Sequence, residues 1–322
     1  MVTDTQQQMT FRQLGTSGLT VSVVGIGCNN FGSRMADEDV PRVVDAAVDA
    51  GVTLFDTADV YGGSGGPGRS ETLLGAALKG KRDQVVLATK FGMDMGGTNG
   101  PVWGVRGSRL YVRLAVEASL RRLQTDWIDL YQMHRPDPHT PIEESLAVLS
   151  DLVQEGKVRY LGSSNFAGWQ VLDADWTART SGFETFVSDQ SEYSWLSRGI
   201  EAELVPALGH TGKGLLPYFP LASGLLTGKY KRGAAAPAGS RLAAQPDRVA
   251  EADFDTIEAL ESFAAERGVS MLQVAVGGLA SMPTVASVIA GATSVEQVRS
   301  NVEAGTWEPS DEDLAELRRL TA

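Results

Sequence analysis

The strongest constraint on the fold is a regular alternation of short β-type runs with longer helical patterns. Eight such runs occur at residues 21–26, 53–56, 85–90, 128–133, 159–163, 186–190, 215–219 and 286–289. Successive runs mostly begin about 30 residues apart, which is the length of one strand, one helix and two loops. Eight repeats of this unit favour a closed parallel barrel, the (β/α)8 TIM barrel of the α/β class, over an open sheet.

Three segments lie outside the alternation. Residues 10–22 contain the turn sequence GTSG, which predicts an N-terminal β-hairpin ahead of the first barrel strand. Residues 314–320 predict an extra C-terminal helix, and residues 229–253 form a connection long enough to be a lid. We expect a single barrel domain over residues 1–322, with residues 1–9 flexible.

One helix carries a predicted start signal. Apolar residues recur every three or four positions through residues 142–155. Thr140 and Glu143 have the spacing of a capping box, and Pro141 stands where the first helical residue is expected.

Charge and cysteine content exclude several classes of function. The 322 residues include 28 Lys and Arg against 40 Asp and Glu, a formal net charge of −12, which argues against binding to nucleic acids or anionic membranes. The single cysteine, Cys28, excludes an intramolecular disulfide and a multi-cysteine zinc site, so we expect no metal. No apolar run reaches the roughly 18 residues of a membrane span. Residues 1–8 lack the features of a signal peptide, and we expect a cytoplasmic protein.

Two glycine-rich motifs resemble nucleotide-binding loops without completing them. Residues 25–30 (GIGCNN) begin like the dinucleotide fingerprint, but Asn30 replaces the third glycine. Residues 63–70 (GSGGPGRS) almost match a phosphate loop, but Arg69 replaces the lysine and Pro67 lacks a backbone N–H. Both are better explained as turns, and the second is expected to precede a helix over 71–78.

Polar side chains with complementary chemistry stand at three consecutive strand ends. Asp56 and Tyr61 follow the second run, Lys90 ends the third, and His134 follows the fourth. Active sites of (β/α)8 barrels lie at the carboxyl ends of the strands, so these four side chains should meet. Each alone has an ordinary structural explanation, as a cap, a solvated lysine, a buried histidine or a packed ring. Their joint occurrence favours catalysis.

The four residue types suit reduction of a carbonyl group. A tyrosine hydroxyl, with a pKa of about 10, is a weak acid at neutral pH, and an adjacent ammonium lowers that pKa by stabilising the phenolate. Asp56 would keep a buried Lys90 charged, and His134 would donate to the substrate carbonyl. No side chain supplies a hydride, so a nicotinamide cofactor is implied.

These residues lie in longer motifs that resemble those of the aldo-keto reductases, with the likeness extending from residue 11 to residue 306. The matching segments are FDTADVYG at 55–62, TKFG at 89–92, 129–137 around His134, GSSNF at 162–166, 190–193, GLLTGK at 224–229, and IAGATS at 289–294 with Gln297 and Asn301. The resemblance implies that Tyr61 is the proton donor, that Lys90 and Asp56 tune it, and that His134 orients the carbonyl.

The resemblance also implies a set of cofactor-binding residues. Ser164, Asn165 and Gln190 correspond to the partners of the nicotinamide carboxamide, and Tyr218 to the residue that stacks on its ring. The pyrophosphate clamp and its loop correspond to Phe219, Pro220, Leu221, Ala222, Gly224, Lys229 and Arg241, the adenosine end to Gly291, Thr293, Gln297 and Asn301, and further contacts to Cys28, Asn29 and Asp56. A capping box formed by Thr293 or Ser294 with Glu296 or Gln297 would put a helix N-terminus near a 2′-phosphate.

Cofactor and substrate are less constrained. Gly291 and Gln297 stand where many members of the resembled family carry Lys or Arg. Other members that share these uncharged residues use NADPH. We therefore expect NADPH and leave NADH open. Asn29, Asn30, Phe31 and Trp103 are candidate pocket walls for a small carbonyl substrate.

Two alternatives remain beside the carbonyl reductase. One is a cofactor-bound regulatory module resembling potassium-channel β subunits. The other is a sugar or polyol dehydrogenase that works in the oxidising direction.

Overall fold

The structure is a computed structural model that describes residues 9–101 and 103–322. Residues 1–8 of the segment predicted to be flexible therefore lie outside the described residues. Met9, the last residue of that segment, is buried.

The described residues form ten β-strands. These are β1 (Phe11–Gln13), β2 (Thr20–Ser22), β3 (Val24–Gly27), β4 (Leu54–Asp56), β5 (Val86–Phe91), β6 (Ile128–Met133), β7 (Val158–Ser164), β8 (Phe186–Gln190), β9 (Gly214–Leu215) and β10 (Val288–Gly291). Strands β1 and β2 pair as an antiparallel hairpin, and the other eight form a parallel sheet in the order β10-β3-β4-β5-β6-β7-β8-β9. The predicted hairpin and (β/α)8 barrel are confirmed.

Helices follow the barrel strands and cover their outer faces. In the part of the chain that the structure describes, the α-helices are α1 (Val40–Asp49), α2 (Arg69–Ala77), α3 (Arg109–Leu123), α4 (Ile142–Gln154), α5 (Gly168–Ser181), α6 (Leu204–Thr211), α7 (Pro246–Ala250), α8 (Phe254–Arg267), α9 (Met271–Gln273), α10 (Val295–Ala304) and α11 (Asp311–Leu320). Helix α9 continues into a π-helical turn, Val274–Gly278. None of the helices described is long and apolar enough to cross a bilayer.

The barrel closes between β9 and β10 through irregular hydrogen bonds. Leu215 donates its N–H to the carbonyl of Thr284 (2.8 Å) and accepts one from Ala286 (3.0 Å). Farther along, Ile289 N–H donates to the carbonyl of Pro217 (3.0 Å). These bonds join the two ends of the sheet into a ring.

Strand β9 is shorter than the strand predicted over 215–219. Single hydrogen bonds to the β8 side continue beyond it, from Leu216 N–H to the carbonyl of Asp189 (2.9 Å) and from Tyr218 N–H to that of Ser191 (3.0 Å). Pro217 has no N–H to donate on the other side, and Phe219 has a left-handed φ of 54°, so the regular strand itself ends at Leu215. The last strand occupies Val288–Gly291 rather than 286–289, because the residues before it make the closing bonds instead.

The hairpin covers the amino end of the barrel. Leu14, Leu19 and Val21 pack in one buried apolar cluster with barrel residues that include Leu54 and Leu130. The Ser22 hydroxyl lies against the start of β4, where it accepts from the N–H of Thr53 at 3.0 Å. With that end covered, the carboxyl ends of the strands are the open face.

Helix α4 does not start with the predicted capping box. It begins at Ile142, with Pro141 in the N-cap position and no side-chain cap. The Thr140 hydroxyl instead donates to Asp137 Oδ2 at 2.8 Å. Because the Thr140 hydroxyl is bonded to this carboxylate, it does not cap the helix. The Asp137 carboxylate also accepts the N–H of His139 at 3.0 Å.

The predicted C-terminal helix is confirmed as α11. Ser310 caps it by accepting the N–H of Asp313 at 3.1 Å. Arg267 at the end of α8 holds it in place through ion pairs to Asp313 (2.6 Å) and Glu316 (2.5 Å).

The close approach of α2 and α3 gives a test of the packing. A Cβ at Gly75 would overlap the backbone carbonyl of Leu123, whereas a Cβ at Gly199 would have no atom within 4 Å. We expect Gly75→Ala to lower the free energy of unfolding in urea by about 1–3 kcal/mol, despite the higher helix propensity of alanine. Gly199→Ala is the matched control and should change it by less than about 0.5 kcal/mol. Equal stabilities of the two variants would contradict this packing.

Candidate active site

The four predicted catalytic residues converge at the open end of the barrel. Asp56 is the last residue of β4, Lys90 is the penultimate residue of β5, and His134 directly follows β6. Tyr61 lies in the loop after β4, where its N–H donates to the carbonyl of Ala58 (3.1 Å). The sequence order of the strands therefore becomes spatial adjacency, as expected for a parallel barrel.

A buried ion pair lies at the centre of the site. Lys90, with no exposed surface, donates to Asp56 Oδ2 at 2.6 Å and to the carbonyl of Thr57 at 2.8 Å. Asp56 Oδ1 accepts from the side-chain amides of Gln132 (3.0 Å) and Gln190 (2.9 Å). Both charges thus have the hydrogen-bond partners that a buried pair requires.

Lys90 also lies against the tyrosine. Its ammonium is 5.0 Å from the centroid of the Tyr61 ring, close enough for each group to influence the charge of the other. The rings of Tyr61 and His134 meet edge to face, with centroids 5.8 Å apart. Asp56, Lys90, Tyr61 and His134 therefore form one continuous contact chain.

Burial and charge shift the pKa values of these groups. Burial would lower the pKa of Lys90, but Asp56 and Tyr61 together raise it above its usual value. Burial raises the pKa of Tyr61, and the Lys90 charge opposes only part of that rise. The ammonium acts in the direction expected from the sequence, but burial is the larger effect. Burial, with Lys90 and Arg135, lowers the pKa of His134 to about 3.

A second hydrogen-bonded group stands beside the first. Asn165, with a left-handed φ of 60°, donates to the carbonyl of His134 (3.0 Å) and accepts from the Tyr218 hydroxyl (2.8 Å). Its amide also donates to the Ser164 hydroxyl (2.9 Å), which donates to the carbonyl of Gln190 (2.8 Å). The strand ends of β6, β7 and β8 are thereby linked.

Most of the predicted cofactor-binding residues line one cleft with a volume of about 850 Å³. The predicted residues along it are Asn29, Asp56, Tyr61, His134, Ser164, Asn165, Gln190, Tyr218, Phe219, Pro220, Leu221, Gly224, Lys229, Arg241, Gly291, Thr293, Gln297 and Asn301. Cys28 and Ala222 are not among the lining residues, and Lys90 lies below the surface. Cys28 is buried, and its carbonyl accepts from the Ser70 hydroxyl (2.7 Å).

The far end of the cleft contains the capped start of α10. Ser294 is the N-cap, and its hydroxyl accepts the N–H of Gln297 at 3.3 Å. The Gln297 side chain turns back to accept the N–H of Thr293 at 2.9 Å. Ser294 is therefore the N-cap, but the predicted capping box is not completed, because the Gln297 side chain bonds to the N–H of Thr293 instead of to that of Ser294.

Several cleft residues were not anticipated from the sequence. Gln132 shares the inward face of β6 with His134, so the period of two along a strand was the signal that could have found it. Arg34, Arg135 and Ser240 also line the cleft. They belong to irregular segments, where no periodicity predicts the direction of a side chain.

Two of the candidate pocket walls lie elsewhere. Trp103 is 75% exposed and is absent from the lining of the cleft, and Phe31 is fully buried. Asn29 and Asn30 do line it. Within residues 9–101 and 103–322, no group of three or more His, Cys, Asp or Glu side chains is placed to hold a metal ion.

Comparison with known proteins assigns the family. The sequence pattern of the Aldo/keto reductase family matches residues 23–322. This chain belongs to the aldo/keto reductase family. It is 37% identical over 300 residues to an uncharacterised oxidoreductase, YrpG, of Bacillus subtilis (strain 168), covering 92% of this chain and 91% of that protein.

Other relatives of this aldo/keto reductase carry different functional names. A probable voltage-gated potassium channel subunit beta of Oryza sativa subsp. japonica is 34% identical, over 92% of this chain and 91% of that protein. An L-glyceraldehyde 3-phosphate reductase of Escherichia coli O157:H7 is 33% identical, over 96% and 92% respectively. The family and the oxidoreductase relatives identify this chain as an enzyme.

The low pKa of His134 can be measured directly. We expect its imidazole to stay neutral from about pH 9 down to about pH 5, because burial and two nearby cations disfavour its charged form. In an NMR titration its ring signals should not move over this range. The exposed His139 and His210 provide internal comparison, and His134→Asn assigns the signal.

The same shift has a consequence for stability. The unfolded chain binds a proton at this position below about pH 6.5, whereas the folded chain does so only near pH 3. The stability that neutral His134 contributes is therefore lost as the pH falls through that window. A midpoint near 6.5 in the folded protein would contradict both statements.

Proposed function

We propose that this chain is an NADPH-dependent carbonyl reductase that converts aldehydes or ketones to alcohols, with Tyr61 as proton donor. The observation that carries the proposal is the contact chain from Asp56 through Lys90 to Tyr61, with His134 beside the tyrosine ring. It ends at a cleft large enough for a cofactor and a small substrate.

The lining of the cleft suits a nicotinamide dinucleotide. Ser164, Asn165 and Gln190 offer hydroxyl and amide groups near the catalytic residues, which suit a carboxamide. Lys229 and Arg241 lie farther along and suit phosphates. Bound there, the cofactor would supply the hydride that no side chain can provide.

Two further features support a ligand in this part of the cleft. The Ser240 hydroxyl, next to Arg241, is buried with no hydrogen-bond partner in the described residues. Phe219, Ala222 and Ser223 all have left-handed φ angles, between 45° and 61°. Such conformations cost about 1–3 kcal/mol each and cluster at ligand-binding segments.

The protein groups divide the acid–base work. With its raised pKa, Tyr61 is protonated at neutral pH and can donate to the oxygen of the carbonyl as negative charge develops there. Lys90 then stabilises the phenolate that remains, and Asp56 keeps Lys90 charged. Neutral His134 has one ring N–H, with which it can orient the carbonyl without giving up a proton.

NADPH is proposed over NADH because cations lie along the cleft. Arg34 and Arg241 are close enough for Arg34 to contribute to the lowered pKa of Arg241, after burial itself. Like charges held together favour a multiply charged anion between them. NADH remains the alternative, since Gly291 and Gln297 carry no charge.

Replacement of Tyr61 tests the mechanism. We expect Tyr61→Phe to lower kcat for aldehyde reduction by roughly 100- to 10,000-fold, because the proton donor is removed. NADPH binding, followed by nicotinamide fluorescence, should be retained. Tyr160→Phe removes the same hydroxyl from a ring at the amino end of the barrel and serves as the control. Wild-type turnover by Tyr61→Phe would refute the role of Tyr61.

The two alternatives are separated by measuring both directions with both cofactors. The rice relative supports a cofactor-bound regulatory module, and tight NADPH binding without turnover of any aldehyde would favour it. Oxidation of a sugar or polyol faster than any reduction would favour the dehydrogenase. The intact contact chain at Tyr61 supports the reductase.

A further inference from the structure

Arg135 is a cation at the catalytic end of the cleft that the proposed chemistry does not use. It directly follows His134, is exposed, and lines the cleft. Its charge influences the pKa values of two side chains at the catalytic end, His134 and Tyr218. It contributes, after burial and Lys90, to the lowered pKa of His134. It also opposes the rise that burial and Glu192 cause in the pKa of Tyr218.

Arg135 has no partner of its own. Among residues 9–101 and 103–322, no side chain forms a hydrogen bond or an ion pair with its guanidinium. Many other arginines are paired, as Arg122 is with Glu71 at 2.6 Å and Arg267 with Asp313 at 2.6 Å. A guanidinium left free at the edge of a reaction cleft is available to a ligand.

The cations of the cleft fall into two groups. Arg34, Lys229 and Arg241 belong to one group. Arg34 and Arg241 repel each other. Lys229 lies beside Gly224, which directly follows the left-handed Ser223. Arg135 stands apart from them, next to His134 and Tyr218. The phosphates of a bound dinucleotide would be paired with the first group. Arg135 would then be available to bind the substrate.

The negative net charge of the protein strengthens the case that Arg135 serves to bind an anionic substrate. A chain of net charge −12 repels small anions at long range, so capture of an anionic substrate needs a local positive group. Near the reacting centre the one carboxylate that lines the cleft, Asp56, is already neutralised by Lys90. Glu192, whose charge also acts on Tyr218, does not line the cleft, so among the lining residues Arg135 leaves the catalytic end positive.

We propose that Arg135 binds an anionic group of the carbonyl substrate, so that the enzyme prefers aldehydes that carry a carboxylate or a phosphate a few bonds from the carbonyl. The proposal rests on the proposed reductase function. The planar guanidinium can donate two parallel hydrogen bonds to either anion. Tyr61 and His134 would hold the carbonyl end while Arg135 holds the charged end.

The test is a selectivity ratio measured with matched aldehydes. The carboxylate pair is succinic semialdehyde and its methyl ester, and the phosphate pair is glyceraldehyde 3-phosphate and glyceraldehyde. For each pair, kcat/KM of the anionic member is divided by that of the neutral member. Wild type should favour the anion in at least one pair, and that pair identifies the preferred group.

Variants at Arg135 should change this ratio. We expect Arg135→Met to lower it by on the order of 10- to 100-fold, mainly through KM, because a charge-assisted bidentate contact is lost. Arg135→Lys should retain part of it, since the charge stays but the planar fork is lost. Arg121→Met removes an equal charge from the exposed surface of α3 and should leave the ratio unchanged.

The outcomes separate this inference from the function on which it rests. A wild-type ratio near one in both pairs, or an unchanged ratio in Arg135→Met, overturns the role of Arg135 while turnover still supports the reductase. No turnover of any of the four aldehydes with NADPH or NADH overturns the proposed function, and this inference with it.

Discussion

The buried ion pair between Asp56 and Lys90 is the interaction on which the site depends. Two charges removed from water are tolerated only when their hydrogen-bonding groups are satisfied, and here side chains from β5, β6 and β8 provide the partners of Asp56. Lys90 pairs in register with Gln132 across β5 and β6, which brings the Gln132 amide within reach of Asp56. Next to it in β7, Gly162 is needed because a Cβ there would lie 2.9 Å from the Gln132 side chain.

In the proposed mechanism, the ion pair also allows the site to perform acid–base chemistry at neutral pH. Without the ammonium, burial alone would make Tyr61 a still weaker acid. The same ammonium helps to keep His134 neutral. The proposal therefore gives the two groups different roles: Tyr61 gives a proton, and His134 only donates a hydrogen bond. The charge of Lys90 therefore influences the protonation of both Tyr61 and His134. The cleft that leads to them is lined by further cations, although the protein as a whole is acidic.

Much of this architecture could be predicted from the sequence, because it rests on local or periodic signals. The alternation of strands and helices predicts the barrel, and the barrel brings Asp56, Lys90 and His134 to one end. The predictions that failed depended on long-range competition. Thr140 does not cap a helix, because its hydroxyl donates to Asp137. Strand β9 is short because the chain around Pro217 closes the barrel through irregular hydrogen bonds.

The second limit on prediction from the sequence was the direction of side chains in irregular segments. Arg34 and Arg135 were not predicted from the sequence, and only the folded chain shows that both line the cleft. The balance of effects on Tyr61 could not be predicted either, because it requires the degree of burial as well as the position of the charge. Sequence patterns predicted which groups meet, while the magnitude of their interaction depended on packing.

A double-mutant cycle on the central ion pair tests this account most directly. The free energy of unfolding in urea would be measured for wild type, Asp56→Asn, Lys90→Met and the double variant. Each single change leaves a buried charge unpaired and should cost about 3–5 kcal/mol. Because the double variant buries neither charge, its loss should be smaller than the sum of the single losses by more than about 1 kcal/mol. Additive losses would contradict a site organised around this pair.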